Sequence, residues 1–315
     1  MSPFTAKSAA SVGALGELRL IESIRRWLGD ASPAAPFGIG DDCAVIPPAR
    51  HHQLVTTDPV IHGQHFDDSV PARAVGAKLL KRNLSDIAAM GGRPVAAVIS
   101  LALAPGTSVA WLRDFYLGLA ATARRFDVKI VGGDITQGPA KFFGAFLTLH
   151  GESTGRLITR RGAKRGDTIF VTGKLGGSLA GHHYRFTPRL VEGQWLARQK
   201  DVVAMMDVSD GIAKDIQSLT PAGLVASISP AFVPVSVAAR AVAKSSRKPA
   251  WIHALTDGED YELLFVVRAK TAPVAFAQRW EKRFGSPLYH LGSFARQTAP
   301  GHVNWDSLHG YEHLR

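Results

Sequence analysis

The chain has 315 residues, 46% of them hydrophobic, with one cysteine and a formal net charge of +11; that makeup allows two domains with cores of their own and excludes a disordered or fibrous chain, a disulfide framework and a cysteine-based zinc site. No apolar run reaches membrane-spanning length and the N-terminal MSPFTAKSAASVGALGEL lacks the pattern of a secretory signal, so a soluble cytoplasmic protein without a membrane partner is expected. The positive balance admits phosphorylated partners, yet Lys81-Arg82, Arg124-Arg125 and Arg160-Arg161 lack interleaved aromatics, which argues for a solvated basic surface and against nucleic acid.

In chain order, residues 1–15 form a small-residue tail expected to be mobile, and apolar residues at helical spacing predict a surface helix from Leu15 to Leu28. Phe37 to Ile46 reads as a glycine turn bearing Asp41 and Asp42 that runs into an apolar strand, with Cys43 as small buried filler. A strand from Gln53 to Thr57 ends in Asp58. Val75 to Met90 is a helix carrying Lys78, Lys81, Arg82, Asn83 and Asp86, stopped by Gly91-Gly92 before Pro94. Val95 to Ala104 reads as a buried strand, Trp111 to Arg125 as an amphipathic helix, and Val128 to Val131 as a strand closing on Gly132-Gly133-Asp134. Phe142 to His150 is a further strand, and the composition shifts near Gly151 to Gly155, the expected domain junction.

The second half opens on a strand, Thr168 to Thr172, followed by Gly173-Lys174-Leu175-Gly176-Gly177, whose spacing does not match a Walker loop. Met206-Asp207-Val208-Ser209-Asp210-Gly211 then presses two carboxylates and a hydroxyl together ahead of a helix beginning at Ile212. Two readings stand open there: a divalent cation bound by hard oxygen ligands, or Ser209 or Asp210 as a helix N-cap. Thr256 to Glu262 places four acids before the buried-looking strand Leu263 to Val267. The pairs His51-His52 and His182-His183 read as solvated.

Asp41, Asp42, Asp58, Asp86, Asp134, Asp207 and Asp210 mostly fall at strand ends or glycine turns, where loops build sites at a sheet edge. One Asp beside Gly is most simply a turn residue. Recurrence weakens that reading: acids gathered in a basic protein are most economically balanced by divalent cations, and Mg²⁺, which completes its shell with phosphate oxygens, points to a nucleoside triphosphate.

The motifs GIGDDCAVI, TTDPVIHGQHF, KRNLSDIAAMGG, VGGDITQGP, MDVSDGIAKDI and DGEDYELLF occur in the order seen in thiamine-monophosphate kinases, and the chain resembles that family from about Gly16 to Tyr311. The family is part of the aminoimidazole ribonucleotide synthetase superfamily. The resemblance implies an α+β, two-domain ATP-binding fold: a tail over 1–15, an N-terminal sheet domain over 16–150 that binds ATP and Mg²⁺ and dimerises, and a C-terminal α+β domain over 151–315 that completes the active site. Carried over by position, it implies metal ligation by Asp42, Thr56, Thr57, Asp58, Asp86, Asp134, Asp207 and Asp210. Nucleotide contacts fall to Gly133, Asp134, Arg160 and Ser209, and thiamine monophosphate contacts to His65, Glu259 and Tyr311; Asp210, Asp58 and Arg160 stand closest to the chemistry.

The implied reaction carries the γ-phosphoryl group of ATP to the phosphate of thiamine monophosphate, in a homodimer. Three departures from the family pattern bear on the acceptor side: His62 in the EGVHF-like motif, Gln137 where GGDTTR is common, and a shortened segment between Gly181 and Arg189. They keep two further readings in play, a related ATP- and Mg²⁺-dependent enzyme with another small-molecule acceptor and a catalytically idle ATP-binding protein. Absence of a reactive Cys before the GDD turn disfavours selenophosphate synthesis.

Overall fold

The computed structural model describes residues 1–35, 37–40 and 43–312. By contact the chain divides into two compact units, one of residues 1–87 and 93–153, the other of residues 88–92 and 154–315.

In the first unit, α1 (Val12–Leu15) and α2 (Glu17–Leu28) precede β1 (Gln53–Ile61), α3 (Ala72–Ala89), β2 (Gly92–Leu103), α4 (Val109–Arg125), β3 (Lys129–Gln137) and β4 (Phe143–Ser153). The strands form one sheet in the order β1-β4-β2-β3, with β1 antiparallel to β4 and β2 parallel to β3. Leu79, Leu80 and Leu84 of α3 and Leu112, Phe115 and Leu119 of α4 are fully buried, as are Ala97 of β2 and Leu147 and Leu149 of β4. Helices α3 and α4 cross where neither has a side chain: a Cβ on Gly76 would lie 1.9 Å from the Phe115 carbonyl oxygen, and one on Gly118 would lie 1.9 Å from that of Arg73. Trp111 stacks on Phe66 and Phe115 and meets Phe143 edge-on at 4.8 Å, an aromatic centre for this unit.

Two expectations change here. Residues 1–15 are held: Thr5 N–H donates to the Gly106 carbonyl, Val12 N–H to Thr107 and Ser108 N–H to Pro3, and Ser11 caps α1. Backbone pairing, invisible to composition, does this. Residues 43–50 form no strand; Val45 is 48% exposed and Cys43 is exposed, so the apolar run there is not core.

In the second unit, β5 (Thr168–Val171), α5 (His182–Arg185), α6 (Leu190–Arg198), β6 (Val202–Asp207), α7 (Ile212–Leu219), β7 (Val225–Ile228), α8 (Val237–Ser246), α9 (Ala250–Thr256), β8 (Leu263–Val267), α10 (Pro273–Phe284) and β9 (Tyr289–Ala295) follow in turn. The strands make an antiparallel sheet in the order β6-β8-β5-β9-β7. Alternation sends Ile169, Val171, Leu264 and Val266 to a core shared with Ile212, Ile216 and Leu255. Phe170 and Phe265 face the other way, against Phe276 and Trp280 of α10, with Trp195 of α6 edge-on to Trp280. A sheet covered on both faces explains why Leu263 to Val267 is apolar without alternation.

Candidate active site

In the first unit, β1 alternation divides the Thr56-Thr57-Asp58 run. Thr56 and Asp58 share the face toward α3, where the Thr56 hydroxyl donates to Asp86 Oδ2 and Arg82 Nη2 lies 3.1 Å from Asp58 Oδ1. Arg82 and Asp86 are four residues apart on α3 and so project on one side of the helix. Thr57 turns to the opposite face, where its hydroxyl donates to the Leu147 carbonyl and accepts from Thr148. His65 follows in the next turn, its Nδ1 accepting from Ile61 N–H at 3.1 Å and its carbonyl taking Nζ of the fully buried Lys78 at 2.7 Å.

Thr56, Asp58 and Asp86 together offer only oxygen donors in a half-exposed seam, which fits a hard divalent cation with part of its shell left to water or phosphate. Among the described residues no three His, Cys, Asp or Glu side chains close around a common metal position. Asp41 and Asp42 lie outside the described residues.

Asp134 and Gly133 stand on β3 beside Ser100 and Ile99 of β2. A Cβ on Gly133 would lie 2.1 Å from the Ile99 carbonyl oxygen, so the position requires glycine for close strand approach. Both line a cavity of about 300 Å³ whose remaining wall includes Ile24, Leu28, Ile99 and Tyr116. A largely apolar pocket with two acids in its wall, Asp134 and Glu17, suits a planar heterocycle carrying a polar edge.

In the second unit, β6 ends at the buried Asp207, and the following turn is tied down by acids. Neither Ser209 nor Asp210 caps α7. Gly211, at φ 91°, is the cap residue and makes no side-chain cap bond; instead Asp215 Oδ2 accepts from the Ser209 N–H at 3.0 Å and the Asp210 N–H at 3.1 Å. Burial, and next the Asp210 charge, push the Asp215 carboxyl up to about 7, against the opposing pull of those amides and of Arg160. Arg160 itself is exposed. Asp210 Oδ2 takes Lys214 Nζ at 2.6 Å, and Lys214 also reaches the Tyr311 carbonyl at 2.9 Å, while Tyr311 N–H donates to the Asp210 carbonyl at 2.9 Å. The C-terminal segment is thereby moored to this turn.

The Asp257 to Glu262 loop is the other half of the same floor. Glu259 N–H donates to the Ser209 carbonyl at 2.7 Å, and the Glu259 carboxylate accepts from the Tyr261 hydroxyl at 3.1 Å and faces His183 Nδ1 at 3.4 Å. His183 is buried, not solvated as expected, and Phe186 stacks on Tyr261 with centroids 4.0 Å apart. Asp260 accepts from Gly176 N–H and Asp257 from Gly177 N–H, each at 2.8 Å. Those glycine amides, placed as in a phosphate loop, point at the chain's own acids. Glu262 is held by Arg189 through two parallel 2.8 Å bonds and by the Thr172 hydroxyl at 2.5 Å.

The first unit matches the family model "AIR synthase related protein, N-terminal domain" over residues 40–152. The chain is 35% identical over 280 residues to the thiamine-monophosphate kinase of Rhodopirellula baltica, covering 84% of this chain and 85% of that one. To the Escherichia coli K12 thiamine-monophosphate kinase it is 34% identical over 279 residues, covering 81% and 83%. The chain belongs to the thiamine-monophosphate kinase family.

Solved structures agree. The thiamine-monophosphate kinase of Stenotrophomonas maltophilia K279a superposes with a TM-score of 0.73 at 31% identity, over 89% of this chain and 94% of that one. The structure described as AaThiL complexed with AMPPCP and TMP gives 0.72 at 29% identity, over 96% and 98%. The hydrogenase maturation protein HypE in complex with ATP shares the fold, with a TM-score of 0.71 at 18% identity.

Sequence reasoning passed over three residues that the structure sets beside the family positions: Arg82, Lys214 and Asp215. Two carried a readable signal. Lys214 stands four residues after Asp210, and Arg82 four before Asp86, the separation that brings helix neighbours together.

Proposed function

We propose that the protein transfers the γ-phosphoryl group of ATP in line to the phosphate of thiamine monophosphate, yielding thiamine diphosphate and ADP. The observation that carries this reading is the family match over more than four-fifths of the chain, together with an ATP-analogue and TMP complex in a relative that superposes over 96% of it. The acceptor phosphate is ionised near neutral pH, so the task is to bring two polyanions together rather than to find a strong base.

The residues suit that task. Thr56, Asp58 and Asp86 in one unit, and Asp207 and Asp210 in the other, would hold Mg²⁺, with Asp42, Thr57 and Asp134 as further ligands implied by position. Mg²⁺ held there offsets phosphate repulsion and stabilises charge on the transferring group. The cavity beside Gly133 and Asp134 takes the adenine base, and the exposed Arg160 guanidinium and Ser209 meet the phosphates. His65, Glu259 and Tyr311 receive the thiamine moiety. Bonded at Nδ1 to the Ile61 amide, neutral His65 carries its proton on Nε2 and presents a donor there. Glu259 places a carboxylate next to the aromatic pair Phe186 and Tyr261, a surface suited to a cationic heterocycle.

Homodimerisation fits the face of the first unit's sheet turned away from α3, where Val55 is 60% and Phe146 38% exposed. The cytoplasm, where ATP is at hand, is the expected compartment. The test is ADP release from purified protein with Mg-ATP, with and without thiamine monophosphate, beside Asp210→Ala. Acceptor-dependent turnover abolished in the variant supports the reading. ATP binding without any response to thiamine monophosphate assigns another acceptor or none.

A further inference from the structure

The seam between β1 and α3 holds a cation of its own. Arg82 Nη2 lies 3.1 Å from Asp58 Oδ1, and Nη1 donates to the Pro59 carbonyl at 2.6 Å. The Arg82 side chain is 11% exposed and that of Asp58 25%, so the pair sits where water screens charge less than at an open surface. A guanidinium does not lose its proton. An Asp58 oxygen engaged this way is a weaker ligand, because its charge is already offset and an arriving dication meets a fixed positive charge beside it. One of the two guanidinium anchors is a backbone carbonyl that does not depend on the carboxylate, so Arg82 stays in the seam even when Asp58 turns elsewhere.

We propose that Arg82 is a resident counter-cation that competes with a divalent metal for Asp58, setting the metal affinity of the Thr56–Asp58–Asp86 seam below what its oxygens alone would give. The inference rests on the reading of Asp58 and Asp86 as metal ligands. Arg82 acts through Asp58 and is a positioning residue, not one that touches substrate. Its chemistry differs from that of the acids around it: they attract the metal, and Arg82 limits how tightly it is held.

The test is Mn²⁺ binding to the full-length protein without nucleotide, followed by electron paramagnetic resonance, in wild type, Arg82→Met, Arg82→Gln, Arg82→Lys and Asp58→Asn. The expected result is that both charge-removing variants tighten the Asp58-dependent binding step by roughly tenfold, the scale of one unit charge against a dication about 6 Å away in water. Arg82→Lys, which keeps the charge, stays within about twofold of wild type on the same scale. Two charge-removing variants are used so that a folding failure in one leaves the other to decide. Unchanged or weaker Mn²⁺ binding in the folded variant, with Asp58→Asn still weakening it, overturns the proposal and leaves the metal reading standing. No effect of Asp58→Asn removes the metal reading and the proposal with it. A merely structural Arg82 would change the melting temperature without tightening metal binding.

Discussion

The two units use the same residue type in opposite ways. Along the β1–α3 seam, Asp58 and Asp86 are partly buried, and their partners include side chains, a guanidinium and a hydroxyl, that can yield to a ligand. In the second unit Asp215, Asp257, Asp260 and Glu262 are pinned by backbone amides, by His253 at 2.9 Å and by a bidentate arginine, and three of the four are buried. Acids of the first kind keep some contact with solvent. Those of the second kind shape the loops that present Asp210 and Glu259.

The division can be broken first at Asp210. Asp210→Ala should lower ADP formation by about a hundredfold or more, since metal-borne charge stabilisation is worth several kcal/mol, while the melting temperature moves little. If stability falls as far as turnover, Asp210 belongs with the bracing acids instead. Arg189→Met reverses the pattern: Glu262, its side chain 6% exposed, would be left without its cation, costing about 3 kcal/mol in urea unfolding. Adding Glu262→Gln should recover much of that loss, and failure to recover would mean that Arg189 does more than pair with Glu262.

A third measurement sharpens the contrast through pH. Burial first of all holds the Asp260 carboxyl well above its ordinary value of 3.8, and its Oδ2 is buried without a hydrogen-bond partner among the described residues. The folded protein therefore keeps a proton that the unfolded chain gives up as pH rises past that value. Stability from this group is full at acidic pH and declines as pH climbs toward the folded-state value. Asp260→Asn removes the decline, so denaturation midpoints at pH 5 and pH 8 should lie closer together than in wild type; parallel pH profiles would contradict the assignment. The smallest effect belongs to Lys214→Met, which breaks an i,i+4 pair whose lysine is 38% exposed. Its unfolding free energy should change by about 0.5 kcal/mol or less.

Much of the fold was legible because its signals are local. Helical spacing places α3 and α4 within three residues at each end, and the apolar run Leu263 to Val267 is a strand as read. The break at Gly16, at φ 78°, moves the start of α2 only to Glu17. What sequence could not supply is partnership across distance. Thr56 meets Asp86 thirty positions away and Thr172 meets Glu262 ninety away, pairs fixed by strand register and helix placement rather than by spacing. For the same reason the four acids between Thr256 and Glu262 carry no sign in the sequence that Asp260 and Asp257 bind the amides of Gly176 and Gly177. The His182-His183 pair shows the same limit: His183 is buried, and His182, though exposed, sets its Nε2 2.9 Å from the Asp260 carbonyl.

The aromatic centres give each unit an optical signature of its own. Trp111 is 5% exposed among Phe66, Phe115 and Phe143, and Trp280 is fully buried between Phe265, Phe284 and Trp195. Each indole should shift its emission to longer wavelength when its own surroundings open to water. Replacing Trp27 and Trp111 by phenylalanine would leave tryptophan only in the second unit, and replacing Trp195, Trp251, Trp280 and Trp305 would leave it only in the first, so that the two halves can be watched melting separately.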